Sequence, residues 1–315
     1  MKQANPDTVI KNKAFESSDK TNLLHVFTVW YNRRDYVKES IESLFNQDLS
    51  SFVIIAVDDG STDNTAGMLI EYAKKADILN IPMLVWCKAN QGFVRSIRDA
   101  INQYCEGDYL ALHGAGDISE RSRLSRQMQI FNDDKEGKIV AVGCQVLLID
   151  SQRREIGRKS NKGGFQNRFD ANVVPRLGTH GASMYRYKNY KQCCGYRPAF
   201  KFAQDTDLYL RLRNEGEFFI VDSFLYKKLV SKETVASKVD YKKVLEQIIC
   251  SVAASEINGK GSFYKDKYGD DLSLNELRFI ARKSPAYRRR VIRLAIYYFR
   301  RYKIVNGVGV LSYLF

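Results

Sequence analysis

Apolar and polar residues follow one another in blocks along the first half of the chain, and the spacing inside each block predicts its backbone. Leu23 to Trp30 (LLHVFTVW) is a short β-rich run that ends in a polar turn. In Arg34 to Gln47, Val37, Ile41, Leu44 and Phe45 fall on one face of a helix. Phe52 to Val57 (FVIIAV) is apolar throughout, as in a strand covered on both faces, and Thr62 or Asp63 behind it is placed to cap a helix carrying Met68, Leu69, Tyr72 and Ala73. The unit recurs. Met83 to Cys87 predicts a third strand, Phe93 to Cys105 a helix, Tyr109 to His113 a fourth strand, and Ile139 to Ile149 a longer one. Strands alternating with helices of this length imply right-handed crossovers, so the expected fold class is α/β with a mostly parallel central sheet and helices on both faces. Beyond Asp222 the pattern turns helical, through residues 241–257, 272–283 and 287–305. The expected organisation is a polar tail over 1–22, a main domain over 23–230 and a basic helical extension over 231–315.

Composition narrows the class. A chain of 315 residues with 44% hydrophobic residues can bury one large α/β core with appendages. No run approaches the roughly 18 to 20 apolar residues that span a bilayer, and the polar start MKQANPDTVIKNKAFESSDK has no apolar core of the secretory type. The expected location is cytoplasmic, or peripheral on the inner face of the membrane. Six cysteines are scattered, with Cys193 and Cys194 the one close pair, which suits reduced thiols and neither a disulfide framework nor a CxxC metal knuckle. A formal charge of +14 implies a polyanionic partner: nucleic acid, acidic membrane or anionic substrate. Residues 284–303 mix Arg288, Arg289, Arg290, Arg293, Arg300, Arg301 and Lys303 with apolar and aromatic residues and hold no acid. Such a helix can lie in an anionic membrane interface or pack on the domain with a solvated basic face. Nucleic acid ranks behind, because no recognition fold is visible.

The chemistry begins at VDDGS, where a buried strand ends on two adjacent acids, Asp58 and Asp59. Ligands of open α/β sheets sit beyond the carboxyl ends of the strands. Two carboxylates there can accept hydrogen bonds from a base N–H and from ribose hydroxyls, while Gly60 permits a tight turn. The plain alternative is that they cap the next helix.

Four further stretches accompany it: VWYNRRDYVKESIESLFNQ before, KANQGFVRSIRDAI and GDYLALHGAGDIS after, and finally GTHGASMYRYKNYKQCCGYRPAFKFAQDTDLYLRLRNEG. In order and spacing the chain, from about Leu23 to Tyr226, resembles the family-two inverting glycosyltransferases. Their members pass from a strand ending near YNR through DDGSTD, an N-x-G helix and a carboxylate motif after the fourth strand to an acid in an (E)D-x-DL-x-x-R helix. The resemblance implies a nucleotide-diphosphosugar transferase fold of the GT-A type, inversion at the anomeric carbon, and Mg²⁺ or Mn²⁺. It implies as partners a nucleotide-diphosphosugar donor and a glycan or lipid-linked acceptor, in surface-polysaccharide assembly.

The same resemblance distributes roles. Donor contacts fall on the backbone at Val29, on Tyr31, Asp58 and Asp59, and on Asn90, Gly92, Arg95 and Arg98 around the helix after the third strand. The family's LDxDD reads LHGAGD here, so Gly114 and Gly116 stand in place of two acids and Asp117 remains as metal ligand, or as a helix cap alone. The family's Glu-Asp pair has become Gln204-Asp205, which keeps Asp205 as general base, with Asp207 the weaker choice. His180 lies on the acceptor or phosphate side with Gln204, or is structural; His25 reads as structural, and His113 fits either role. Two rival readings are a catalytically weak sugar-nucleotide binder, suggested by LHGAGD, and a basic nucleic-acid-binding protein, suggested by charge alone.

Overall fold

The computed structural model describes residues 7–21, 23–160, 163–166, 177–230, 241–259 and 272–301. These fall into two compact units: one of residues 7–166, 177–195 and 212–230, the other of residues 196–211, 241–259 and 272–301. The expected division at residue 230 therefore differs in one respect, since 196–211 groups with the C-terminal helices.

The first unit is built on a sheet of 11 strands among the described residues. Its first strand was not expected. β1 (Thr8–Lys11) pairs antiparallel with β4 (Met83–Lys88), and α1 (Lys13–Ser17) buries Phe15. Between them the buried Asn12 donates to the carbonyls of Ala73 and Ile81 and accepts from the N–H groups of Phe15 and Met83. Residues 7–21 are thus part of the sheet layer and not a loose tail.

β2 (Leu24–Trp30) and β3 (Phe52–Asp59) are buried at every residue, as the apolar run of Phe52 to Val57 predicts for β3; in β2 the burial includes His25 and Thr28. With β4 and β5 (Tyr109–Leu112) they form a parallel block in the order β4-β3-β2-β5. The crossovers are α2 (Arg34–Phe45), which buries Val37, Ile41 and Leu44, α3 (Thr65–Ile78), which buries Leu69, Tyr72 and Ala73, and α4 (Phe93–Tyr104). The short β6 (Ile118–Ser119) and α5 (Arg123–Asp133) follow β5.

The other half of the sheet is mixed. β7 (Ile139–Ile149) carries β8 (Glu155–Lys159) antiparallel on a hairpin, and β9 (Gly164–Phe165) lies beside the last strand. A single 3₁₀ turn, His180–Ala182, leads into β10 (Met184–Arg186), which runs antiparallel between β5 and β7, and then into α6 (Tyr187–Gln192). β11 (Glu217–Leu229) pairs parallel with β7 through three register shifts; the sequence pattern predicts no strand there. The sheet is a mixed α/β sheet, parallel in its centre.

The second unit has its own apolar core. Phe200 and Leu210, the latter on α7 (Gln204–Leu212), join Leu245, Ile249 and Ala253 of α8 (Tyr241–Gly259). Leu277 and Ile280 of α9 (Leu274–Arg282) and Tyr287, Val291 and Ala295 of α10 (Pro285–Arg301) complete it. Ser273 and Glu276 form a reciprocal cap at the start of α9. Among the described residues no helix is long and apolar enough to cross a membrane.

Candidate functional site

The parallel strands carry the first unit's candidate residues to their carboxyl ends. Asp58 and Asp59, the last residues of β3, are both buried, yet they differ in what they hold. Asp59 Oδ1 accepts from the Gln91 N–H at 3.0 Å and the Ser96 hydroxyl at 2.6 Å, and Oδ2 accepts from the Gly92 N–H at 2.9 Å. It holds the two residues that lead into α4 and the Ser96 hydroxyl in its first turn, and so lies at that helix's positive end, well beyond the next helix in the chain. Asp58 Oδ2 accepts from the Ser61 N–H at 3.1 Å, while Oδ1 is buried with no partner among the described residues. Burial pushes the Asp58 carboxyl above its usual range, against the pull of Ser61.

Around this pair the loops are tied to one another. Asn32 accepts from the Thr62 N–H and its own N–H donates to Ser61, while the Arg33 N–H donates to Thr65 and the Arg34 N–H to Asp63. Trp30 pairs with Asp58, so Tyr31, which is 51% exposed, stands just past the acids. Val29 lies beyond the last pair between β2 and β5, Phe27 with Leu112. Gly60, at φ +76°, has room for no side chain: a Cβ there would lie 2.7 Å from the Asn90 nitrogen. Phe93, which opens α4, meets the His180 ring edge-on at 5.5 Å. The 3₁₀ turn then reaches the fourth parallel strand's turn, since a Cβ on Gly181 would lie 3.2 Å from Asp117 Oδ2. Of the two α4 arginines, Arg95 is exposed, and Arg98 is half-buried with its Nε unpartnered among the described residues.

Asp117 is 7% exposed. Its Oδ2 accepts from the Tyr226 hydroxyl at 2.7 Å and its Oδ1 from the Leu229 N–H at 2.8 Å, both on β11. Burial raises its carboxyl above the usual range, against the pull of those two donors and of the Lys228 and Arg33 charges. Tyr226 also accepts from the Gly114 N–H at 2.8 Å, and the guanidinium of the fully buried Arg123 lies 4.9 Å from the centre of its ring. Arg123 donates to the Leu112 carbonyl, Ser119 and Gln127. His113 is held between Ser40 and Ser119, and burial, then the Arg123 charge, lowers it to about 3. It is a neutral structural imidazole at ordinary pH.

Tyr226 and Arg123 escape the sequence reading. In α5 the buried stripe Arg123, Leu124, Gln127 and Phe131 contains two polar residues that look like surface positions, and Tyr226 sits where the register shifts of β11 blur its alternation.

Gln204 and Asp205 belong to the second unit, as the first residues of α7. Both are half-buried, and Asp205 Oδ1 accepts from the Thr206 N–H at 2.8 Å. Asp207 is buried and clamped by Arg197 and Arg211. Burial opposes its charge, and the two guanidinium groups outweigh that and hold the carboxyl below the usual range.

A mixed α/β sheet with acids and glycine turns gathered at the ends of its parallel strands is the architecture of a ligand-binding α/β protein. The Glycosyl transferase family 2 pattern matches residues 25–194, more than half of the chain, and the chain belongs to that family. Chondroitin synthase of Escherichia coli is 23% identical over 277 residues, covering 85% of this chain and 38% of that protein. The chain therefore spans well under half the length of that relative. S. aureus TarS 1–349 in complex with UDP-GlcNAc superimposes with a TM-score of 0.57 at 15% identity, over 83% of this chain and 71% of the other. The mannosyltransferase PcManGT of Pyrobaculum calidifontis, solved with GDP-Man and Mn²⁺, gives 0.55 at 12% identity, over 98% and 88%. At these identities the two structures show a shared fold.

Enzymes of this fold commonly use divalent ions, and the residues present decide whether one fits here. Among the described residues no three His, Cys, Asp or Glu side chains cluster to hold a metal. Asp117 stands alone with both oxygens already accepting. A Cβ on Gly114 would lie 2.3 Å from Asp117 Oδ2, and one on Gly116 (φ +88°) would lie 3.0 Å from Leu229 and 3.1 Å from Tyr36. Side chains therefore crowd the two positions where the family has acids, and an ion here would have one carboxylate, Asp117, whose oxygens are already shared with Tyr226 and Leu229, a poor donor set for a tightly held ion.

Proposed function

We propose that this chain moves a sugar from a nucleotide-diphosphosugar donor to a glycan or lipid-linked acceptor, with inversion at the anomeric carbon, in surface-polysaccharide assembly. The observation that supports it most is Asp58. A buried carboxylate oxygen with no partner costs about 1–3 kcal/mol, and a nucleoside N–H or ribose hydroxyl entering past the end of β3 would satisfy it. The base would lie against Tyr31 and the backbone at Val29. Asp59, which accepts from the Gln91 and Gly92 N–H groups, acts on the donor by positioning the loop that carries Asn90 and Gly92. Arg95 and Arg98 border the diphosphate, and His180 and Gln204 serve the acceptor or phosphate side.

In the transfer an acceptor hydroxyl oxygen bonds to the anomeric carbon as the bond from that carbon to the diphosphate oxygen breaks. The electron pair leaves with the nucleoside diphosphate, and Asp205 takes the hydroxyl proton. The expected Mg²⁺ or Mn²⁺ would find Asp117 alone to hold it. The test is release of nucleoside diphosphate from a panel of nucleotide sugars with glycan and lipid-linked acceptors. Asp205→Asn should lower transfer about 10² to 10⁴-fold and leave donor affinity nearly unchanged. Transfer at the parental rate would remove Asp205 from the reaction.

An anionic membrane surface is proposed as a further partner through residues 284–303. α10 buries Tyr287, Val291 and Ala295 and leaves Arg288, Arg289, Arg293, Ile292 and Ile296 exposed. The side chains of residues 297–303 lie outside the described residues. Each basic residue near an anionic surface contributes about 1 kcal/mol. Arg288, Arg289 and Arg293 changed together to Gln should cut sedimentation with anionic liposomes; equal recovery would make α10 a packing element.

A further inference from the structure

Where two acids of the family's motif are absent, two arginines converge. Arg33 stands at the start of α2 and places its guanidinium 5.7 Å from the centre of the Tyr36 ring. Arg153, in the turn between β7 and β8, places its own 5.6 Å from the same ring, donates from Nη1 to the Gly116 carbonyl at 2.8 Å and pairs with Glu39. Tyr36 in turn packs on Gly116, its Cβ 3.1 Å from where a Gly116 side chain would begin. The two charges thus stand over the turn that carries Asp117. It is the fold, not closeness in sequence, that brings Arg33 and Arg153 to one ring.

Arg153 is held there by its guanidinium, and Arg33 is anchored through its backbone. The Arg33 backbone N–H donates to Thr65 at the start of α3, and its side chain lies over Tyr36, which packs on the Gly116 turn. Its guanidinium makes no hydrogen bond or ion pair among the described residues. Arg153 sits at φ +65°, a left-handed conformation that a long side chain adopts at a cost, and Asp150 holds that turn by accepting from the Gln152 and Arg154 N–H groups. The Arg33 and Lys228 charges are felt at Asp117.

We infer that Arg33 and Arg153 neutralise the donor's diphosphate in place of a carboxylate-held divalent ion, so that transfer proceeds without metal. The inference rests on the donor reading above. As the bond from the anomeric carbon to the diphosphate oxygen breaks, that oxygen keeps the electron pair, and planar guanidinium groups can meet the added charge with paired N–H donors.

The experiment measures two things in chelator and in Mn²⁺: binding of UDP and GDP, with uridine and guanosine as phosphate-free controls, and nucleoside diphosphate release from the matching sugar donors. Turnover should be the same in chelator as in Mn²⁺. Arg33→Gln should weaken the diphosphates about 10 to 100-fold, the loss of one charge-assisted contact, and leave nucleoside binding unchanged, with Arg33→Lys recovering part of the loss. Arg153→Gln should act in the same direction. Turnover that stops in chelator and returns with Mn²⁺ overturns the inference and leaves the donor reading standing. Diphosphate affinity unchanged in both Gln variants, at unchanged melting temperature, also overturns it. Failure of every nucleotide to bind the parental protein removes the donor reading itself, and the inference with it.

Discussion

The turn after β3 and the turn after β5 invert what their acid content suggests. VDDGS has two carboxylates. One of them, Asp59, is filled by three donors from the start of α4, and the other, Asp58, keeps a buried oxygen open. LHGAGD has one carboxylate, and both its oxygens are taken by β11. Counting acids along the sequence ranks Asp58 and Asp59 alike and leaves Asp117 as a ligand. Counting the hydrogen bonds each oxygen already accepts separates all three, and of these two turns the first alone keeps a carboxylate oxygen that accepts none among the described residues.

The strongest way to break that comparison is at Asp59. Asp59→Ala leaves the Gln91 and Gly92 N–H groups and the Ser96 hydroxyl without their acceptor, and should destabilise the fold by about 2–4 kcal/mol by denaturant unfolding. If stability is unchanged, Asp59 does not anchor the entry to α4. Asp58→Asn should do the reverse. It keeps the size of the side chain and removes a buried charge, so nucleotide affinity should fall about tenfold by calorimetry while the fold becomes more stable.

A smaller effect sharpens the same point through pH. Because the folded Asp58 carboxyl titrates above its usual 3.8, the native state holds that proton more tightly than the unfolded chain does. Its contribution to stability is therefore greatest below about 3.8 and declines as pH rises through the folded value. The stability advantage of Asp58→Asn should be present at neutral pH and close as pH falls toward 3.8. An advantage that persists unchanged in acid would mean that charge burial is not its cause.

Much of this was legible in the sequence, and the rest was not for identifiable reasons. β2, β3, α2 and α4 follow from apolar runs and helical spacing because each buries a face that its own residues declare. β1 carries only two apolar residues in four and depends on the edge of β4 for its existence. β10 and β11 depend equally on neighbours distant in sequence. At the site, the glycine turns and acids were visible as a pattern, whereas the partners that decide their roles were not. Gln91 lies 32 residues beyond Asp59, and Tyr226 lies 109 beyond Asp117. Arg123 reads as a surface charge until the sheet above it is known.

The pairing of β1 with β4 has a practical side. Without it, the apolar strand MLVWCK would present a row of open backbone N–H and C=O groups, a template on which another chain could build. With it the sheet's edge is the four-residue β1, TVIK, a shorter and more polar edge than MLVWCK. A fragment trimmed to the family-matched segment from residue 25 would lose β1 and expose the longer, apolar β4 as its edge.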